Sequence, residues 1–268
     1  MTRTLTVLAT LVGLSAAAQN EVPVHAIEGR FDTFTTDELG NVYALRGDEL
    51  ELYGPAGESR LRNSVKTFGR IATIDAFYSL KPMVFSPEQG QVAVLDNTLS
   101  VQGDVIHLPR QGWPQVVLAC MGVQNTFWLF DQRELALIRV DAQLRQLANT
   151  GRLDQLLGHT VEPMGMLEHE NRLYVNDPSV GFLVFDLFGT YARTIPIKGA
   201  TSFEVRGERL YFFAEGRLQV YDMRSFAIAD VPLPVAPPGP VRDARVERGR
   251  IYLRLDDRIL LVDLPRDR

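Results

Sequence analysis

Oxygen-bearing side chains recur in short polar stretches along the chain: Asp48, Asp96 with Asn97, Asp131, Asn176 with Asp177, Glu215, and Asp256 with Asp257. Carboxylate and amide oxygens converging on one mouth would form a ligand set for Ca²⁺ or another hard cation. The same residue types are what tight turns require, because Asp and Asn side chains accept hydrogen bonds from nearby backbone N–H groups. Both readings stand, and turns set outward of a central opening favour the second. His25, His107, His159 and His169 have no metal-ligand spacing, and no H-E-x-x-H, G-x-S-x-G, phosphate-loop or dinucleotide glycine pattern occurs. Nucleophilic and phosphate chemistry therefore lack a foothold. Cys120, the sole cysteine, lies in the apolar run Val116–Met121 and reads as a buried, inert thiol. The segment His107-Leu108-Pro109-Arg110-Gln111-Gly112-Trp113-Pro114 holds an Arg and a Trp in a loop stiffened by proline, and these are residue types that anchor protein interfaces. Trp113, Arg110 and, from an earlier long loop, Tyr78 are the candidate partner-binding residues; for Trp113 the competing role is packing between structural units.

Composition narrows the partners. The 268 residues carry 28 Lys and Arg against 33 Asp and Glu, a formal net charge of -5, which opposes non-specific binding to nucleic acid or to an anionic membrane surface. Residues 1–18 differ from the rest: a short start containing Arg3, the apolar run Leu5–Leu14, then Ser15-Ala16-Ala17-Ala18 ahead of Gln19. That is the layout of a secretory signal peptide, too short in its apolar part to span a bilayer. The expectation is a signal peptide over 1–18 and a single domain over 19–268, exported to the periplasm or outside the cell, with no transmembrane segment in the mature chain.

Short strand patterns punctuated by turns fill almost the whole length. Asn171–Ile197 reads as three antiparallel strands with two tight turns. Six segments share a similar core, centred on Tyr43, Ala93, Trp128, Tyr174, Tyr211 and Tyr252, with spacings of 50, 35, 46, 37 and 41 residues. Such periods match four-stranded blades. The inner strands are expected at Phe31–Thr36, Pro82–Ser86, Val116–Met121, Met164–Glu168, Ser202–Arg206 and Val241–Glu247. The third strands are expected at Glu49–Tyr53, Thr98–Val101, Glu134–Val140, Gly181–Asp186, Arg217–Asp222 and Arg258–Asp263. The fold class expected is all-β, a six-bladed β-propeller. Its last unit has no residues left for an outer strand, so Val22–Ile27 is expected to pair with Ile259–Asp263 and close the ring. Gln143–Pro163 has room for a short amphipathic helix with Leu147, Leu153, Leu156 and Leu157 near one face, and Pro232–Pro240, with five prolines, for a stiff connector.

The stretch Asp37-Glu38-Leu39-Gly40-Asn41-Val42-Tyr43 resembles the turn that leads into the second strand in NHL-like and gluconolactonase-like six-bladed propellers. As a whole, with Leu95–Gly103 and Phe188-Gly189-Thr190-Tyr191, the chain resembles exported propeller proteins of Bacteroidota. The resemblance implies a cell-envelope location and adds no activity, since the lactonase-type metal-binding motifs have no counterparts here. The function expected is that of a non-enzymatic protein-binding or scaffolding module with an envelope protein as partner, and no catalytic, cofactor or metal residues are assigned. The alternative is a metal-dependent lactonase-like hydrolase.

Overall fold

The computed structural model describes residues 24–64, 68–76 and 81–264. After β1 (Val24–Glu28) the strands follow in fours. The first blade is β2 (Thr33–Thr36), β3 (Val42–Arg46), β4 (Glu49–Tyr53) and β5 (Ser59–Ser64). The second is β6 (Thr73–Asp75), β7 (Met83–Ser86), β8 (Gln91–Val94) and β9 (Ile106–His107). The third is β10 (Val116–Gly122), β11 (Thr126–Asp131), β12 (Ala136–Val140) and β13 (Gln146–Asn149). The fourth is β14 (Gly165–His169), β15 (Arg172–Asp177), β16 (Gly181–Asp186) and β17 (Tyr191–Ile195). The fifth is β18 (Ser202–Arg206), β19 (Arg209–Ala214), β20 (Arg217–Asp222) and β21 (Ile228–Asp230), and the sixth begins β22 (Asp243–Glu247), β23 (Arg250–Arg254), β24 (Arg258–Asp263). All six sheets are four-stranded, and the first strands of successive blades touch in a closed cycle from β2 round to β22 and back. The protein is a six-bladed β-propeller.

The apolar alternation of each second strand explains this arrangement. In β3, Tyr43 and Leu45 pack with Ile74, Val84 and Ala93 of the second blade, whereas Val42 and Ala44 pack with Tyr252, Ile259 and Leu261 of the sixth. In β11, Phe127 and Leu129 face the second blade, and Trp128 and Phe130 face the fourth. Strands buried on both faces read as continuous apolar runs, which is how these segments look in the sequence. The core is accordingly six inter-blade clusters arranged in a circle.

The ring closes through the strand expected to close it. β1 is the outer strand of the sixth blade, paired antiparallel with β24 in the register Val24↔Val262, Ile27↔Ile259, Glu28↔Arg258. Val22 and Pro23, the start of the expected segment, lie outside the described residues, and the strand runs one residue farther, to Glu28. The expected signal peptide, residues 1–18, also lies outside the described residues.

The second blade corrects the sequence reading. Its inner strand is the three-residue β6, so Met83–Ser86 is the second strand and Gln91–Val94 the third, while Thr98–Val101 belongs to the connection between third and fourth strands. Val84, not Ala93, is the equivalent of Tyr43, and the spacings become 41, 44, 46, 37 and 41 residues. Met83–Ser86 is fully buried because it packs between two neighbours, and that burial made it look innermost. In the third-to-fourth connection the helix, α1, covers only Leu153–Leu157; Leu147 lies on β13, Leu153 is buried, Leu157 packs on the core and Leu156 is exposed. Pro232–Pro240 contains no strand.

Because Ile27 is 2% exposed and sits in the cluster that joins the first and sixth blades, Ile27→Ala is expected to cost about 2–5 kcal/mol. Val24→Ala, at a position 44% exposed in the same strand, should stay within about 0.5 kcal/mol of the parent. Urea unfolding followed by tryptophan fluorescence checks both.

Candidate functional site

The first strands of the six blades enclose a channel of about 360 Å³. Its wall is chemically uneven. The first and second blades contribute hydroxyls from Thr33, Thr35, Thr36 and Thr73; the third and fourth contribute Leu118, Ala119, Met164 and Met166; the fifth and sixth contribute Glu204, Arg206, Arg242, Asp243, Arg245 and Arg254. The charged arc follows from two alternating strands, Ser-Phe-Glu-Val-Arg in β18 and Asp-Ala-Arg-Val-Glu in β22, which bury Val205 and Val246 and place the polar residues on the other side.

The first strands are not hydrogen-bonded to one another as a sheet, and side chains bridge them. Asp75 Oδ2 accepts the Met121 N–H at 2.8 Å. Glu168 accepts the Val123 N–H at 2.8 Å and the Trp128 indole N–H at 2.6 Å. Glu204 accepts the Val246 N–H, and the Ser202 hydroxyl donates to Asp243. Arg206 lies 2.7 Å from Glu247 and 3.3 Å from Glu204, and Arg245 Nη1 donates to the Phe203 carbonyl at 2.7 Å. Burial pushes the Glu204 carboxyl above the usual range, against the pull of Arg206 and Arg245. These acids are occupied with holding blades together. Among the described residues no group of three or more His, Cys, Asp or Glu side chains gathers closely enough to hold a metal ion.

The turn carboxylates have local work. Asp131 Oδ1 accepts the N–H groups of Arg133 and Glu134. Asp177 accepts Ser179 N–H and hydroxyl on one oxygen and Glu162 N–H on the other; burial opposes ionisation there, but these bonds hold the carboxyl below its usual value. Asp256 pairs with Arg242, and Asp257 with Arg258. Asp96 and Asn97 sit between third and fourth strands, at the edge opposite the second-to-third turns, which corrects their expected placement. Asp96, Asp141 and Asp186 share one device: Oδ1 accepts the N–H groups two and four residues ahead, and the residue three ahead is left-handed, Leu99 at φ 62°, Leu144 at 63° and Gly189 at 81°. This spacing was an unread repeat in the sequence. Asp37 caps the first-blade turn in a similar way, accepting Leu39 N–H, Asn41 N–H and the Asn41 amide, and is fully buried.

Of the predicted partner-binding residues, Arg110 is exposed at the end of a 3-10 helix over Leu108–Gln111, and Trp113 is half-buried against the cluster between the second and third blades. The loop that holds them is fixed: Gly112 adopts φ 92°, and the Trp113 N–H donates to the Leu108 carbonyl at 3.0 Å. Tyr78 lies outside the described residues. Cys120 is buried, and burial, reinforced by Asp75 and Glu168, pushes its thiol well above the usual range. Its sequence-based reading as an inert core residue fits that environment.

With this geometry in view, comparison with known proteins speaks to fold. No protein-family model matches the chain, and no curated protein matches its sequence. Solved structures do. A streptogramin B lyase superposes with a TM-score of 0.61 at 10% identity, covering 91% of this chain and 98% of its own. The virginiamycin B lyase from Staphylococcus aureus gives 0.62 at 10% identity over 91% and 100%. The Pan2 WD40 domain of Neurospora crassa gives 0.63 at 7% identity over 90% and 91%. These are likenesses of fold. The same architecture serves lyases and a WD40 domain, so the architecture by itself does not choose between catalysis and binding. No helix among the described residues is long and apolar enough to cross a membrane.

Two outcomes follow from the bridging groups. Trp128→Phe removes the indole donor from buried Glu168 and is expected to cost about 1–3 kcal/mol in urea unfolding followed by far-ultraviolet circular dichroism. His169 accepts the Gly207 N–H on Nε2 across the fourth and fifth blades, and burial lowers its pKa below the usual 6.5, with Glu170 opposing and Arg206 assisting. Below 6.5 the unfolded chain binds more protons than the folded one, so the stability tied to neutral His169 is complete above that pH and lost as the pH falls. Urea midpoints measured at a series of pH values should fall less steeply just below 6.5 in His169→Gln than in the parent.

Proposed function

We propose that this protein is a non-enzymatic binding or scaffolding module of the bacterial cell envelope, exported by residues 1–18 as a signal peptide and acting in the periplasm or outside the cell on a protein partner. The observation that carries the reading is a division of labour. The acids of the channel are engaged in joining blades, whereas the connections between blades present unengaged cationic and apolar groups on one face. Strand direction reverses at each turn, so every blade-to-blade connection and every second-to-third turn emerges at the same edge of the ring. Arg110, Leu156 at 47% exposure and Leu233 at 38% come from three such connections. Arg110 has no ion-pair partner among the described residues, and its short helix is held by Gly112 and by the packing of Trp113. Display of contact groups on fixed loops of a rigid ring lowers the ordering cost of association.

The test compares faces. Tagged protein lacking residues 1–18 is incubated with envelope extract of the source organism, alongside Arg110→Ala, Leu156→Asp and Phe188→Asp. Phe188, 80% exposed, lies in a third-to-fourth turn on the opposite face. The expected result is a stoichiometric partner retained by the parent and by Phe188→Asp and lost, by roughly tenfold or more, in the other two. Loss with Phe188→Asp alone, or no stoichiometric partner at all, overturns the reading.

A further inference from the structure

Arg254 ends β23 at the channel mouth and stands apart from the other arginines that line it. Arg206 faces Glu204 and Glu247, Arg242 faces Asp256, and Arg245 lies 3.9 Å from Asp243. Arg254 donates one Nη1 bond, to the Phe31 carbonyl at 3.2 Å; its Nε has no partner, and no carboxylate among the described residues forms an ion pair with it. Asp256 attracts it through space without an ion-pair contact, so a carboxylate bound directly to this half-buried guanidinium would still gain from it. Asn176 is the next-to-last residue of the second strand of the fourth blade, hence near the same mouth, and lines the same channel at 1% exposure. Its amide N–H₂ donates to the Ala200 carbonyl at 2.8 Å, but Oδ1 has no donor. The same end of the channel thus holds a cation with no contact ion pair, on the sixth blade, and an acceptor without a donor, on the fourth, with Met164, Met166 and Leu118 on the wall between the third and fourth blades.

We infer that this mouth binds a small organic carboxylate that carries a hydrogen-bond donor next to its carboxyl group and a short branched apolar tail. The carboxylate pairs with Arg254, whose planar fork suits it. The donor meets Asn176, and the tail lies against the methionines, whose flexible thioethers adapt to its shape. A volume of about 360 Å³ accommodates a ligand of that size. The same chemistry is offered by a free hydroxy or amino acid and by the C-terminal residue of a polypeptide, whose preceding amide supplies the donor. This site uses the channel wall and none of Arg110, Leu156 or Leu233, so it stands or falls separately from protein docking on the connections.

Isothermal titration of the protein lacking residues 1–18 uses four probes: leucate, the primary amide of leucic acid, isocaproate and N-acetylglycylleucine. Leucate is expected to saturate at a single site, its neutral amide to bind roughly tenfold or more weakly, and isocaproate, which lacks the hydroxyl, several-fold more weakly. Arg254→Met should weaken leucate roughly tenfold and leave the amide unchanged, and Asn176→Leu should abolish the difference between leucate and isocaproate. Tighter binding of N-acetylglycylleucine than of leucate assigns the ligand to a chain terminus, and the reverse order assigns it to a free acid. Absence of saturable binding of both acids, or equal binding of leucate and its amide to the unmutated protein, overturns the proposal; the second comparison requires no variant to fold.

Discussion

A four-stranded blade with both faces apolar cannot bury itself, and everything else in this ring depends on that constraint. Adjacent residues of one strand belong to different cores: Val42 and Ala44 look toward the sixth blade, Tyr43 and Leu45 toward the second. Each blade is therefore stable only between two others, and six such blades satisfy the requirement by closing on themselves. With its lone cysteine buried and unpaired, the chain relies on this packing and on the seal made by β1 beside β24. In that seal Ile27, Phe31 and Phe34 meet Ile259 and Leu261.

The axis of the ring poses a second requirement. First strands converge there without a ladder between them, so their edge groups need partners from side chains. Asp75, Glu168 and Glu204 accept backbone N–H groups and Arg245 donates to a backbone carbonyl, while Arg206 and Ser202 tie the fifth blade to carboxylates of the sixth. A channel lined by acids and arginines looks like a reaction centre in composition, yet its acids are used as struts. What is left over, the guanidinium of Arg254 and the buried Oδ1 of Asn176, lies toward one mouth of the channel.

Five of the six blades were legible from strand patterning, as was the closing strand, because residues that pack on both sides leave long apolar runs and the turns between them are marked by Asp, Asn and Gly. The second blade was misread because its inner strand is only Thr73-Ile74-Asp75, while the buried run Met83–Ser86 looked more like an axial strand. The turn device shared by Asp96, Asp141 and Asp186 would have set the register, since it marks the end of a third strand each time. The site was less legible. Arg110 and Trp113 could be picked out because proline and glycine flag their loop, but pairing Arg254 with Asn176 requires knowing that the ends of two second strands, 78 positions apart, meet at one opening. Local pattern carries no such information.

The register Val24↔Val262 also makes the ring a problem of timing. The contact that completes the sixth blade joins residues 238 positions apart, so it forms last whether the chain emerges from a ribosome or threads through a pore. Until then the first blade shows one apolar flank, with Val42, Ala44 and Phe34 in water, and β24 offers a free sheet edge. An incomplete ring is an open-ended stack able to add another copy's β1 in place of its own, so the folding of this protein is a race between intramolecular closure and strand exchange, decided by chain concentration.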